Sequence, residues 1–136
     1  MSNFIQPVVL VLIKQGNKFL LTVRAEVDKG ANNFYGYWQI PGGGLEFGES
    51  TETCAVREAR EELGIDIEVV KLLPKIEYDV RGSWHGLLIT YMCTMKNPTA
   101  EIVLNEESSD YGWFTIDEAK SLKLMPLCME VMQDAI

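Results

Sequence analysis

The amino-acid sequence predicts an α/β domain, a mixed β-sheet held between helical layers. Three observations carry this. Short runs rich in β-branched residues and leucine recur between residues 7 and 114. Residues 50–63, after the third run, have helical composition. The 136-residue chain is 47% hydrophobic and 10% aromatic, enough to bury a core without staples and too much for intrinsic disorder. No linker, low-complexity tract or internal repeat interrupts it, so residues 1–136 are read as a single domain.

The elements follow in order. Residues 7–14 and 18–24 flank Gln15-Gly16-Asn17, the pattern of a hairpin with a glycine-containing turn. Residues 25–37 read as a polar loop carrying Phe34, Tyr35 and Tyr37. Trp38-Gln39-Ile40 reads as a short strand cut off by Pro41-Gly42-Gly43-Gly44, where proline removes a donor and glycine frees the backbone. For the long helix, Ser50 suits the N-cap, Glu52 the positive end of the dipole and Gly64 the stop. Residues 65–70, 76–80 and 87–94 read as strands, and 102–104 and 111–114 as two shorter ones. Thr115-Ile116-Asp117-Glu118 has capping-box form and opens a short helix. A last helix runs from about residue 127 to the end.

Charge narrows the function. Twelve basic against twenty acidic side chains leave a net charge of −8, which disfavours long nucleic acid and an anionic membrane surface as partners. A small anionic substrate remains compatible if metal cations intervene. The apolar run at residues 8–13 is far short of the ~20 residues needed to cross a bilayer, and no basic n-region precedes it. Cys54, Cys93 and Cys128 are an odd set without C-x-x-C spacing, which predicts reduced core thiols in a cytoplasmic protein. The one histidine, His85, cannot build a multi-histidine metal site.

The chemistry-bearing pattern lies on the long helix. At 100° per residue, Glu62 falls about +40° and Glu61 about −60° from Glu58, so three carboxylates share one arc. Ala55, Ala59, Leu63 and Val56 occupy the adjoining arc and make the buried face. The acidic stripe therefore lies beside the core, and its mutual repulsion calls for a positive partner that Arg57 supplies only in part. A hard divalent cation with oxygen ligands is the natural alternative. A glutamate pair on a helix is, by itself, more often a solvated face.

Reading outward decides between these. The spacing is Gly43, five residues, Glu49, seven residues, then Arg57-Glu58-Ala59-Arg60-Glu61-Glu62-Leu63-Gly64-Ile65. Residues 43–65 resemble the Nudix box, G-x₅-E-x₇-R-E-U-x-E-E-x-G-U, with U a bulky aliphatic residue. Gly43, Glu49, Arg57, Glu58, Glu61, Glu62 and Gly64 match every fixed identity, and Ala59 departs only in size. The Trp38-x-x-Pro41-Gly42-Gly43 lead-in and Trp113-Phe114 before an acidic helix are similar to the family too.

The resemblance implies the Nudix fold, an α/β/α sandwich with a mixed β-sheet, and hydrolysis of a nucleoside diphosphate linked to another group with Mg²⁺ or Mn²⁺. It implies metal ligation by Glu58, Glu61 and Glu62 with a backbone carbonyl of Gly42 or Gly43, and a Glu49 beside the metal site, oriented by Arg57. Glu58 is the first choice for the carboxylate that accepts the proton of an attacking water. Glu49 and a carboxylate of the later loop, which carries Glu106, Glu107 and Asp110, stay open as alternatives, and Glu61 is counted with the catalytic groups.

Substrate choice lies outside the box. Phe34, Tyr35 and Trp84 are aromatics in or beside loop segments where a base could stack, and His85 could hydrogen-bond one. Glu106 and Glu107 are further candidates for contact with substrate. The segment Leu45-Glu46-Phe47-Gly48-Glu49-Ser50, with Cys54-Ala55 following, resembles members that cleave nucleoside triphosphates to the monophosphate and pyrophosphate, including those acting on oxidised or non-standard nucleotides. Hydrolysis of a nucleoside diphosphate sugar or similar conjugate is the alternative. A nucleotide-binding regulator is the non-enzymatic one, against which the four intact box glutamates speak. The expected partner is a small nucleotide, and the oligomeric state stays open, a homodimer included. Residues 43–65 carry six acids against two bases, half of the net −8, so the acidity itself reads as a cation site for a small polyphosphate.

Overall fold

Two twelve-residue strands, β1 (Phe4–Gln15) and β7 (Trp84–Met95), run in parallel from the Phe4–Trp84 pair to the Ile13–Cys93 pair and form the spine of the molecule. The computed structural model describes residues 2–26 and 34–136. β1 turns at Gly16-Asn17 into β2 (Lys18–Arg24), which pairs in turn with β3 (Trp38–Gln39) and with β8 (Ser108–Phe114), all antiparallel. On its other side β7 pairs antiparallel with β5 (Ile67–Leu72) and β6 (Glu77–Arg81). The sheet is therefore mixed, as expected.

The uninterrupted apolar run of β1 has a physical reason: the strand is covered on both faces. Val9, Val11 and Ile13, at 0% exposure, point with Tyr91, Cys93 and Met95 toward α1 (Thr51–Leu63). Leu12, one residue out of phase, points with Phe19 and Leu21 toward Ala119 of α2 (Ile116–Ala119) and Val131 and Met132 of α3 (Cys128–Asp134). Helices thus lie on the two sides of the sheet. Among the described residues no helix is long and apolar enough to cross a membrane.

The helix ends follow the sequence. Ser50 Oγ accepts from the Thr53 amide at 3.1 Å, and Gly64 closes α1 in the left-handed conformation, its amide bonded to the carbonyl oxygens of Ala59 and Arg60. Thr115 and Glu118 complete the capping box at α2. Ser50→Ala is expected to cost about 1 kcal/mol, read as a lower urea midpoint at unchanged slope.

Two expectations need correction. The glycine run does not simply end a strand: Gly42–Gly44 is itself a strand, β4, paired antiparallel with Val8, Val9 and Leu10 of β1. Side-chain-free backbone is what lets it lie so close, since a Cβ on Gly42 would strike the Val9 carbonyl. Residues 102–104 are not a strand. The Val103 amide bonds to the Leu63 carbonyl at 2.9 Å, so this segment spends its hydrogen bond on the end of α1, while Ile102 and Leu104 pack on the core beneath. Strand limits also shift, with β7 starting at Trp84 and β8 at Ser108.

Candidate active site

The register of α1 sets the site. Ala55 and Ala59 are fully buried against the sheet, and this close seat carries Glu58 and Glu62 inward to 7% and 5% exposure. Glu61 stands on the outer rim, its side chain 54% exposed. Opposite them lies β4. The Gly42 amide donates to Glu62 Oε2 at 2.9 Å, and a Cβ on Gly43 would fall on the Glu58 carboxylate. The box glycine is thus the clearance that a buried carboxylate needs.

Arg57 organises the acidic residues around it. Its Nε and Nη2 donate to the two oxygens of Glu49 at 2.7 and 2.9 Å, and Nη1 donates to Glu58 at 2.9 Å and Glu61 at 3.2 Å. Nη2 also reaches the Gly44 carbonyl at 3.2 Å. The two-pronged bond to Arg57 pulls the Glu49 pKa down to about 2. Burial pushes Glu58 upward, against the pull of Arg57. Burial raises Glu62 to about 9, helped by the negative charges of Glu58 and Glu107 close by.

The structure brings Glu58, Glu61, Glu62, Gly42, Gly43, Glu107 and Trp84 to the wall of one cleft of about 810 Å³. Glu49 lies outside the cleft lining, behind Arg57. Glu106 is exposed and turned away, unlike its neighbour Glu107. Asp110 is exposed too, its carboxylate accepting from the Tyr111 amide. His85 does not line the cleft; its ring lies 5.5 Å from that of Tyr78. Tyr35 is 56% exposed and outside the lining, and Phe34 packs edge-on to Tyr37.

The cleft also contains residues that sequence reasoning passed over. Gln6, Arg24, Gln39 and Arg81 line it. One signal was available for Gln6, a polar residue at the cleft-facing phase of an otherwise apolar strand. For the rest, the strand pairing had to be known first.

The donor set can be tested against a metal. Among the described residues no three Asp, Glu, His or Cys side chains are placed so that they could hold a metal ion without rearrangement, and Arg57 Nη1 donates to both Glu58 and Glu61. The groups are nevertheless all oxygen, as a hard divalent cation requires. Burial, and after it the crowding of Glu58 and Glu107 around the same carboxylate, drives Glu62 far above an ordinary carboxylate. A cation would relieve that crowding, so the residues fit one.

Comparison with known proteins agrees with this geometry. The profile of the NUDIX domain matches residues 5–132. Nucleoside triphosphatase NudI of Escherichia coli O17:K52:H18 (strain UMN026 / ExPEC) is 33% identical over 116 residues, 78% of this chain and 79% of that protein. Nucleoside triphosphatase NudI of Enterobacter sp. (strain 638) is 31% identical over 129 residues, 88% of this chain and 89% of its own. Among solved structures, the MutT NUDIX hydrolase from Burkholderia pseudomallei superposes with a TM-score of 0.83 at 21% identity, over 98% of this chain and 100% of that one. That likeness speaks to the fold alone.

Proposed function

The chain belongs to the Nudix hydrolase family, and from that premise we propose a divalent-metal-dependent pyrophosphohydrolase that cleaves nucleoside triphosphates to the nucleoside monophosphate and pyrophosphate. The observation that carries this is the meeting of Glu58, Glu62 and Glu107 beside the glycine strand on one cleft wall. The likeness to two nucleoside triphosphatases supports the substrate class. Three buried free thiols support a reducing, cytoplasmic setting.

Glu58, Glu61 and Glu62, with a carbonyl of Gly42 or Gly43, would hold Mg²⁺ or Mn²⁺, and Glu107 closes the site from the loop before β8. When bound, the cation neutralises phosphoryl charge and lowers the pKa of the attacking water. The chain's own residues do the rest. Glu58, raised in pKa and at the cleft wall, accepts the water's proton. Glu49 is a poor base at about 2 and instead fixes the Arg57 fork. Arg57 in turn orients Glu58 and Glu61.

The deciding experiment is a panel of canonical and oxidised nucleoside triphosphates, nucleotide sugars and dinucleotides, assayed with Mg²⁺ or Mn²⁺ and with products resolved. Pyrophosphate release is expected. Sugar phosphate plus nucleoside monophosphate as the main products would replace this reading with conjugate hydrolysis. Nucleotide binding without any turnover would point to a regulator.

Metal uptake has its own signature. Glu62 titrates at about 9 in the metal-free protein, so near pH 7 it carries a proton that a cation must expel. Mn²⁺ affinity is therefore expected to rise with pH up to about 9. Calorimetric titration in buffers of different ionisation enthalpy should show proton release, and a buffer-independent heat would contradict the site.

A further inference from the structure

Where β7 begins, Trp84 makes a floor of the cleft. Its six-membered ring fills the space beside Gly86, where a Cβ would fall on it, and its Nε1 donates to Gln6 Oε1 at 2.7 Å. An indole N–H can only donate, so Gln6 must turn its oxygen to Trp84 and its amino group the other way. That amino group lies over Gly44 and has no acceptor among the described residues.

Arg81 lines the same end. Its Nε donates to Asp79 at 2.9 Å, and its guanidinium lies 4.5 Å from the Phe34 ring centre and 5.1 Å from that of Trp84. The side chain is only 25% exposed, yet Nη1 and Nη2 have no acceptor among the described residues. Because both groups line the cleft, this planar donor pair is open to a ligand that brings acceptors. Of the other cleft carboxylates, Glu26 faces Arg24 at 3.6 Å.

Position and chemistry say what that ligand is. Trp84 pairs with Phe4, four residues along β1 from Val8, the partner of Gly44 in the glycine strand, and the Gln6 amino group lies between the two levels. At the rise of a strand those four residues span on the order of 13 Å, a span comparable to that from a nucleotide's phosphates to its base. Asp79 offsets the charge of Arg81 and aromatic rings flank its plane, which suits a flat neutral group better than a phosphate. Resting on the triphosphate reading above, we infer that Arg81, with the Gln6 amide, selects nucleobases that present a carbonyl at purine C6 or pyrimidine C4: hypoxanthine or guanine over adenine, and uracil or thymine over cytosine. An exocyclic amine in place of the carbonyl would set donor against donor.

Matched pairs test this. The wild type should hydrolyse ITP over ATP, and UTP over CTP, with kcat/KM ratios of roughly ten to a hundred. Arg81→Met keeps the packing between the rings and removes the donors. It should bring both ratios close to one by slowing the keto substrates alone, with Arg81→Lys in between. Equal slowing of all four triphosphates would make Arg81 a phosphate contact, and unchanged ratios or no wild-type preference would likewise overturn the inference. A second measurement needs neither turnover nor metal: quenching of tryptophan fluorescence by inosine and by adenosine. Inosine should bind the wild type more tightly and lose that advantage in Arg81→Met, and equal binding of the two overturns the inference. If the wild type hydrolyses no triphosphate, the proposed reaction fails while nucleoside binding still decides the role of Arg81.

Discussion

Replacing Glu62 by Gln should lower kcat more than roughly 100-fold, beyond the cost of losing a group that merely orients a metal ligand, and should make the metal-free protein more stable at alkaline pH. The first effect follows because Gln is a far weaker ligand for a hard cation than a carboxylate. The second follows from linkage. Glu62 titrates at about 9 in the fold against an ordinary 4.5, so the folded chain holds this proton more tightly than the unfolded one. Between about 4.5 and 9, ionisation is penalised only in the fold, and stability falls as pH rises across that window. Gln cannot ionise, can still accept from the Gly42 amide and can donate to Glu107. Thermal melts of the metal-free proteins should coincide near pH 4.5 and diverge toward pH 9, the variant melting higher. A variant less stable than the parent at pH 9 would show that Glu62 is a structural acid rather than a strained ligand.

Arg57→Lys should fail in a different way, losing both rate and stability. The guanidinium serves Glu49 with a fork of 2.7 and 2.9 Å while holding Glu58, Glu61 and the Gly44 carbonyl with its remaining N–H groups. An ammonium cannot present that planar set of donors. Because Arg57 orients metal-site carboxylates without reaching the substrate, the expected loss in kcat is roughly 10- to 100-fold. The stability effect has a defined pH window. Glu49 titrates at about 2 in the fold, so its stabilisation is complete above the ordinary 4.5 and is lost as pH falls through about 2. The melting-temperature gap between parent and variant should be full at neutral pH and close toward pH 2. A gap that persists unchanged there would mean that the arginine acts through packing of its stem instead.

The two variants also show which parts of the site could be read from the sequence. α1 was legible because every signal for it is local: the Ser50 cap, the Gly64 stop and a 3.6-residue period that places Glu58 and Glu62 beside Ala55 and Ala59. The Arg57–Glu61 contact is one helical turn and was equally accessible. Residues 102–104 misled because Ile-Val-Leu has strand composition wherever it lies. Its actual hydrogen-bond partner, the Leu63 carbonyl, is forty residues from Val103. The glycine run misled in the opposite sense. Glycine is poor in strands unless close backbone approach demands it, and that demand came from Val9 and Glu58.

The sequence by itself determined the reaction class and one wall of the site, because seven spaced identities and a helical period are properties of neighbours along the chain. Tertiary structure decided the rest. It chose Glu107 over Glu106 to face Glu62, since only strand and loop placement tells adjacent side chains apart. It sent Trp84 into the cleft and left His85 outside it, because successive residues of a strand point to opposite faces and the pairing of β7 with β1 fixes which is which. It also brought Gln6, Arg81 and Trp84 together across more than seventy residues of chain. A register set by long-range pairing leaves no local trace, so the end of the cleft that selects the base became visible only in the fold.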